Sequence, residues 1–219
     1  MDGTRFSNLE ISSGFYLTNA RSSNTKDIDE LKTEFIRKSI HFLIALSPSM
    51  ASVNRPATVL ILIIGTLGYT LMEYFRLSGV KVPVISSLTN MASRSRDMGH
   101  FVLGPVTLGL GALLALLLYP SPVAAISIYA LAFGDGFASL VGKIFGRIRP
   151  AILCGKSIEG SLACFAAVLI SSYAVCSSMY IAFVAAFVAV IVEALPLEDF
   201  DNLALPVTVG LAVQFAAML

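Results

Sequence analysis

The chain has 219 residues, of which 56% are hydrophobic and only 13% are charged, whereas about a quarter of the residues in a soluble domain are charged. Its mean hydropathy of +0.81 excludes a protein whose whole surface faces water, and its net charge of +1 argues against a nucleic-acid-binding protein, which needs a strongly basic face. The three cysteines, Cys154, Cys164 and Cys176, lack the spacing of a metal site, and we expect no disulfide framework.

Apolar segments of membrane-spanning length follow a polar amino-terminal region. Residues 1–33 are polar and rich in Ser and Asn, and we expect a flexible cytoplasmic tail there, in front of a transmembrane domain over 34–219. Because a bilayer core about 30 Å thick takes roughly 20 apolar helical residues, the sequence predicts an all-α bundle of about seven transmembrane helices. The predicted spans are about 35–53, 56–75, 100–119, 122–141, 160–177, 180–196 and 203–219. Ser47-Pro48-Ser49 interrupts the first.

Charged residues gather on one side of the predicted membrane. With seven spans, the tail shares a side with the loops 76–99, 142–158 and 197–202, and this side carries every Lys and Arg except Arg55. The positive-inside rule makes that side cytoplasmic. All 14 Asp and Glu residues lie on or near the same side, which a topology signal alone does not require. The sequence therefore predicts a polar site that opens to the cytoplasm.

The segment 133–160 combines an intramembrane carboxylate with glycines and cations. Asp135 lies in an apolar stretch, where an ionised carboxylate is costly unless it is paired or binds a cation. The glycines and polar residues around it fit a polyphosphate with its metal ion. They are Gly134, Gly136, Gly142, Lys143, Gly146, Arg147, Gly155, Lys156 and Ser157. The structural alternative is a glycine-lined helix contact followed by a positive-inside loop. A Walker A loop is excluded, because Pro150 stands where its first glycine would be.

A second acidic group lies at 193–206. Glu193 is near the end of an apolar helix, and Asp199, Asp201 and Asn202 follow a proline turn. Such oxygen ligands suit Mg²⁺, which takes one or two carboxylates together with substrate phosphates. The structural alternative is an acidic connecting loop in which Asn202 caps the next helix.

Arg and His recur one helical turn apart at two places. Arg37 precedes His41 and Arg96 precedes His100 by four residues, which puts each pair on one helix face. Glu73 similarly stands at the end of the second span. An interfacial Arg is often only an anchor at the membrane surface, but these two histidines are the only ones in the chain.

With these residues in view, the chain resembles the family of CTP-dependent lipid kinases that includes dolichol kinase, phytol kinase and the yeast-type diacylglycerol kinase. That family is related in its membrane region to phosphatidate cytidylyltransferases. The matching blocks run in family order over about 34–206. They are Glu34-x-x-Arg37-Lys38-x-x-His41, Arg96-Asp97-x-Gly99-His100, Gly134-Asp135-x-x-Ala138-Ser139-x-x-Gly142-Lys143-x-x-Gly146, Gly155-Lys156-Ser157-x-Glu159-Gly160-Ser161, Glu193-x-x-Pro196 and Asp201-Asn202. The family often has Asp-Asp-Asn where this chain has Phe200-Asp201-Asn202.

The resemblance implies phosphoryl transfer from CTP to the hydroxyl of a membrane lipid alcohol, with Mg²⁺ or another divalent cation. Such transfer needs alignment, cations on the phosphate oxygens and a base near the hydroxyl. We expect the metal on Asp135, Asp201 and Asn202, and the nucleotide phosphates on Lys143, Arg147, Lys156, Ser157, Gly134, Gly142 and Arg96. Expected catalytic residues are Asp135, Glu159, Asp97 and His100, and Arg37, His41, Glu73 and Glu193 complete the predicted site. The partners are then CTP, the lipid alcohol and membrane lipids; whether the protein forms a homo-oligomer stays open.

Two alternatives stay open at this point. A phosphatidate cytidylyltransferase would share CTP, Mg²⁺ and the membrane setting but would transfer CMP to a lipid phosphate. A small membrane transporter would also contain intramembrane polar residues, although it would need them through the whole depth of the bilayer. The opposite loops, about 120–122 and 177–180, carry no charge.

Overall fold

The computed structural model of the chain describes residues 28–80, 83, 91, 99–150, 153 and 155–218. Within these residues the regular structure is helical, which confirms the predicted class. The helices are α1 (28–44), α2 (Ser47–Leu77), α3 (Gly104–Leu118), α4 (Val123–Tyr129), α5 (Gly136–Ile144), α6 (Ile158–Cys176), α7 (Met179–Ala194) and α8 (Asp201–Ala216). A π-helical turn, Ala130–Asp135, joins α4 to α5, and a 3₁₀ turn, Glu198–Phe200, precedes α8.

Helices of membrane-spanning length and composition occur in the described part of the chain. Three helical segments are long and apolar enough to cross a bilayer, namely Ser47–Leu77, Val123–Ile144 and Ile158–Cys176. Gly104–Leu118 and Met179–Ala194 are shorter apolar helices. The helices from α3 onward begin and end within a few residues of the predicted spans, which indicates an integral membrane bundle.

The first predicted span, 35–53, is not a single helix. Residues 28–33, expected in the tail, are already helical, and α1 ends at residue 44. A new helix begins at Ser47, with proline in its first turn, where a missing N–H costs nothing. A kink at Asn54 then separates the first turns of α2 from the rest. The Asn54 side chain accepts a hydrogen bond from the Ala57 amide at 3.0 Å. The break follows from Pro56, which cannot donate within a helix. Residues 1–27 of the predicted tail lie outside the described part.

The amphipathic pattern of α1 is inverted relative to a helix on a water-soluble protein. Glu34, Lys38 and His41 repeat at helical spacing and are 1%, 1% and 3% exposed, whereas Phe35 and Leu43 are 61% and 64% exposed. Charged side chains are almost never buried unless they are paired, and exposed apolar faces of this kind mark contact with lipid or protein. The pattern suits a helix with lipid on its outer face and a polar site on its inner face.

Small side chains form the centre of the bundle. α6 packs on α7, α7 on α8, and α3 on both α2 and α8. Fully buried alanines line these contacts, and they are Ala112, Ala115, Ala182, Ala185, Ala186 and Ala189. Small residues let helix backbones approach closely in lipid, where no hydrophobic effect drives helices together. This packing holds the ends of α5, α6, α7 and α8 side by side.

Arg55, the one basic residue predicted on the opposite side, lies at the carboxyl end of α3. Its guanidinium donates to the carbonyl of Leu116 and, at 3.1 Å, to that of Tyr119. The last carbonyls of a helix have no partner within the helix, so Arg55 supplies donors for them.

Candidate active site

A polar cavity of about 440 Å³ lies where the ends of these helices meet. That volume is in the range of small-molecule sites. Charged and polar side chains from every neighbouring segment line it, and they are Glu34, Arg37, Asp135, Ser139, Lys143, Arg149, Lys156, Ser157, Glu193, Glu198 and Asp201. The cavity thus brings together predicted site residues that are up to 164 positions apart in the sequence, from Arg37 to Asp201.

Asp135 ends the π-helical turn and is only 5% exposed. Its Oδ2 forms an ion pair with the ammonium of Lys38, and the Nδ1 of His41 lies 3.0 Å from the same oxygen. A buried carboxylate needs such partners, because its desolvation is otherwise uncompensated. π-helical turns often occur at functional sites, and this one turns Asp135 toward α1. Sequence reasoning missed Lys38, although it stands in the same matching block as Arg37 and His41.

Glu34 joins α1 to α5. Its carboxylate is 1% exposed and accepts from the Arg37 guanidinium at 2.5 Å and from the Lys143 ammonium at 3.1 Å. Two predicted site residues, Arg37 and Lys143, are therefore held by one carboxylate that was not predicted as part of the site. Its signal in the sequence was its place at the start of the first matching block.

Lys156 connects the segment before α6 to the end of α7. Its ammonium lies 3.0 Å from Glu193 Oε1 and also donates to the Glu193 carbonyl. The second carboxylate oxygen, Oε2, is buried and has no hydrogen-bond partner within the described residues. Both residues were predicted, and the structure pairs them.

Arg149 is a cavity residue that sequence reasoning counted only as part of the positive-inside loop. Its guanidinium donates to the Gly155 carbonyl at 2.7 Å and to the Gly142 carbonyl at 2.8 Å. It therefore ties the loop after α5 to the carboxyl end of α5, where a cation also interacts favourably with the helix dipole.

Gly142 and Gly134 allow helices to cross closely. A Cβ on Gly142 would lie 3.0 Å from Ser157 Oγ, and one on Gly134 would lie 2.8 Å from a methyl group of Val168. Ser157 itself caps α6, because its Oγ accepts from the Gly160 amide at 3.1 Å. The structural alternative of a glycine-lined contact thus accounts for both glycines, although Gly142 also lines the cavity.

Glu159 and Arg147 meet outside the cavity lining. The Glu159 carboxylate accepts from the backbone amides of Arg147 at 3.0 Å and Ile148 at 3.3 Å, and this contact fixes the loop against the first turn of α6. The Arg147 side chain is exposed. The geometry gives Glu159 a structural contact, and the catalytic role expected for it stays a prediction.

Asn202 does not line the cavity. It is 2% exposed, and its amide nitrogen donates to Thr107 Oγ1 at 3.0 Å. This bond joins α8 to α3, so Asn202 positions its neighbour Asp201, which does line the cavity, while the expected metal contact of Asn202 stays a prediction.

Glu73 and His100 belong to a separate cluster. Glu73 is fully buried, accepts from Arg76 at 2.8 and 2.7 Å, and accepts from the Val102 amide at 3.0 Å. Arg76 also donates to the His100 carbonyl at 3.1 Å, and the His100 side chain is exposed. The cluster anchors the chain segment that enters α3. Arg96 and Asp97, both predicted site residues, lie outside the described part.

Asp201 is a partly buried cavity carboxylate close to a second one, Asp135. Burial, together with the nearby Asp135 carboxylate, raises the pKa of Asp201 to about 7. Among the described residues, no Lys or Arg forms an ion pair with it. An added cation between Asp135 and Asp201 would relieve this repulsion.

The donor set fits a metal that takes most of its ligands from elsewhere. In the described part of the chain, no group of three or more His, Cys, Asp and Glu side chains is arranged to hold a metal ion by itself. Two carboxylates, Asp135 and Asp201, line one cavity. Mg²⁺ usually binds one or two protein carboxylates and completes its shell with phosphates and water, so the residues present fit such an ion.

Fold and cavity together indicate a helical membrane protein with a polar pocket at one end of its bundle, and the chain is similar in sequence to three known proteins. The chain is 32% identical over 130 residues to CTP-dependent diacylglycerol kinase 1 of Eremothecium gossypii, which covers 58% of this chain and 38% of that protein. It is 25% identical over 152 residues to a probable chloroplastic phytol kinase 1 of Oryza sativa subsp. japonica, covering 61% of this chain and 48% of that one.

A third relative, an uncharacterised protein of Methanocaldococcus jannaschii, is 25% identical over 184 residues, or 83% of this chain and 93% of its own length. No family model and no solved structure matches the chain. The chain spans less than half the length of the two relatives named as kinases. Their names support the resemblance to CTP-dependent lipid kinases, and the relation to cytidylyltransferases stays a prediction.

Proposed function

We propose that the protein is a CTP-dependent kinase that transfers the terminal phosphoryl group of CTP to the hydroxyl of a membrane lipid alcohol. The acceptor is one of three alcohols: a polyprenol such as dolichol, or phytol, or diacylglycerol. The observation that carries the proposal is the convergence of Arg37, Asp135, Lys143, Lys156 and Asp201 on one cavity, in a chain similar to two proteins named as lipid kinases.

The cations of the cavity suit a triphosphate. Arg37, Lys143, Arg149 and Lys156 all line it, and charge-assisted hydrogen bonds from such groups are the strong ones that phosphate oxygens accept. We assign this role to Arg149 in preference to Arg147, because Arg149 lines the cavity. Each of these cations already has a partner in the protein, which keeps it in place before the nucleotide binds.

Asp135 and Asp201 would hold the divalent cation. When bound, this ion neutralises charge on the transferring phosphoryl group. Lys38 and His41 hold Asp135 in position from behind, and the Asn202 side chain holds the start of α8 that carries Asp201.

The phosphoryl group passes directly from CTP to the lipid, without a covalent enzyme intermediate. The bond between the terminal phosphorus of CTP and its bridging oxygen breaks, the lipid oxygen bonds to that phosphorus, and CDP leaves. The hydroxyl proton passes to a carboxylate on the cavity. Glu159 is engaged by backbone amides outside the cavity, so this acceptor belongs to the lining carboxylates.

The membrane arrangement is part of the proposal. Seven spans with the cavity facing the cytoplasm would put the acidic and basic residues at the side where CTP is available, and the lipid would stay in the bilayer throughout.

A purified-protein assay tests the function. CTP, ATP, GTP and UTP, each labelled at the terminal phosphate, are crossed with polyprenol, phytol and diacylglycerol in lipid vesicles. Labelled lipid phosphate formed with CTP in preference to the other nucleotides is expected for one of these acceptors. The Asp201→Asn variant, prepared in the same way, is the control. Absence of labelled lipid with every pair of substrates would contradict the proposal.

A further inference from the structure

An apolar groove lies between α1 and α5, apart from the polar cavity. It encloses about 360 Å³ and is lined by Leu31, Lys32, Phe35, Ile36, Leu140 and Ile144. We refer to it as the α1–α5 groove. Phe35 and Ile144 are 61% and 53% exposed, so the groove opens outward, toward the lipid that covers this face of the bundle.

The α1–α5 groove and the polar cavity meet at one ion pair. Glu34 and Lys143 both line the cavity, and their 3.1 Å contact joins the same two helices that form the groove. Each is next in sequence to a groove residue, Glu34 to Phe35 and Lys143 to Ile144. A molecule in the groove would therefore have one end beside this pair.

The outer end of the groove lies near water. Lys32 contacts Asp29 at 3.4 Å, and both side chains are about 70% exposed (69% and 74%). A lysine that lies along apolar surface with its ammonium in water is typical of the membrane interface. The Lys32 end of the groove therefore lies at the membrane interface, and the rest of its lining is apolar.

We propose that the α1–α5 groove binds the hydrocarbon chain of the lipid alcohol, whose hydroxyl enters the polar cavity beside Glu34 and Lys143. This inference rests on the proposed function and names the place where its acceptor lies. Burial of each methylene in the groove is favourable only relative to water, so selection against bulk lipid must come from the polar end.

The ion pair supplies that selection. An ionised carboxylate accepts hydrogen bonds and donates none. The hydroxyl of an alcohol donates to Glu34 and is small enough to reach the cavity, whereas the phosphodiester of a bulk phospholipid has no proton to donate and would bring a second negative charge against the Glu34 carboxylate. The groove with its ion pair therefore favours an alcohol over the surrounding phospholipid.

Photochemical labelling tests the site without relying on catalysis. The full chain is placed in phosphatidylcholine vesicles with a lipid alcohol that carries a diazirine in its chain, and labelled peptides are mapped after irradiation. We expect labels on residues 31–36 and 140–144 that an excess of unlabelled lipid alcohol removes. Labels confined to other helices, or labels in the groove that the excess alcohol does not reduce, would overturn the inference, because the latter indicate bulk lipid.

Two matched substitutions add a kinetic test. Ile144→Trp fills the groove, and Ile170→Trp places the same ring at an equally lipid-facing position of α6, where Ile170 is 68% exposed. We expect Ile144→Trp to raise the KM for the lipid alcohol about tenfold, the size of effect that apolar pockets show, with the KM for CTP unchanged. Ile170→Trp should change neither, and equal effects of the two variants would overturn the inference.

The two proposals can fail separately. Competable labelling of the groove in a protein that phosphorylates no alcohol would leave the groove as a lipid-alcohol site and refute the kinase. Phosphorylation of an alcohol without competable labelling would leave the kinase and refute the groove.

Discussion

Asp201 and Asp135 line the same cavity but differ in their neighbours. Asp135 has Lys38 and His41 against it, whereas no described Lys or Arg pairs with Asp201. The loss of the negative charge at each position should therefore have opposite effects on folding, although both losses should stop phosphoryl transfer.

Asp201→Asn is expected to lower activity by roughly 100-fold or more, as removal of a key charge-stabilising group does, without destabilising the fold. The carboxyl of an unfolded chain ionises near pH 4, whereas the pKa of Asp201 in the folded protein is about 7. Between these two pH values the folded protein keeps a proton on Asp201 that the unfolded chain has lost. The free energy of unfolding of the wild type therefore falls as pH rises from about 4 to 7. In metal-free detergent solution, the thermal midpoint of the variant relative to wild type should rise between pH 5 and pH 8. A midpoint well below wild type at pH 8 would contradict this.

Asp135→Asn should destabilise the protein, because it leaves the buried ammonium of Lys38 without its carboxylate. Breaking a buried pair from one side costs about 3–5 kcal/mol. The double variant Lys38→Met/Asp135→Asn removes both charges and should recover most of the thermal midpoint but none of the activity. Recovery of activity in the double variant would show that Asp135 serves the fold alone.

At the scale of elements, the loop between α5 and α6 is fixed from both ends by residues of different roles. Arg149 ties it to α5 through two carbonyls and faces the cavity, while Glu159 holds it from α6 through two amides outside the cavity. Two arginines two positions apart in one loop thus face different surroundings.

Arg149→Met is expected to raise the KM for CTP about 10- to 100-fold, in line with the loss of a hydrogen bond to a charged group of roughly 1.5–3 kcal/mol. Arg147→Met is the matched control and should leave the KM for CTP unchanged, since that side chain is exposed and does not line the cavity. Steady-state kinetics at saturating lipid would measure both. A larger effect at Arg147 would contradict the placement of the triphosphate.

The helices could be predicted from hydropathy because lipid requires long apolar segments with internal backbone hydrogen bonds. Breaks at Ser47 and Asn54 depend on nearby prolines, which the sequence displays, but hydropathy alone merged 35–53 into one span. The π-helical turn before Asp135 has no such signal, since it inserts one residue into a helix without a change of composition.

The site was predictable where unusual residues stand in apolar stretches, as at Asp135 and Glu193. The site was not predictable where the role of a residue depends on an ion pair with a residue far away in the sequence. Lys38 lies 97 positions from Asp135, and no periodicity links the two. Glu34 and Lys38 at the start of an apolar segment resemble a topology signal, and only their contacts with Lys143 and Asp135 show that they belong to the site.

At the scale of the whole molecule, the described charged residues other than Arg55 lie at the end of the bundle that holds the cavity and the Glu73 cluster. At the opposite end, Arg55 donates hydrogen bonds to the last carbonyls of α3. This asymmetry fits a site served from one face of the membrane.

Cysteine labelling tests the proposed orientation. In a background in which the three native cysteines are replaced by alanine, Ser78→Cys and Ser121→Cys place thiols at two exposed positions at opposite ends of the bundle. A membrane-impermeant maleimide added to intact cells should label position 121 and should reach position 78 only after permeabilisation. The reverse pattern would contradict a cytoplasmic cavity.

The most direct test of the central claim follows both ends of the phosphate chain of CTP. The purified protein is given a lipid alcohol with CTP labelled by different isotopes at the α and γ phosphorus, and the lipid and nucleotide products are separated. A CTP-dependent lipid kinase puts the γ label in the lipid and leaves the α label in CDP. The α label in the lipid, with release of pyrophosphate, would indicate transfer of CMP and contradict the account, as would a lipid fraction that carries neither label.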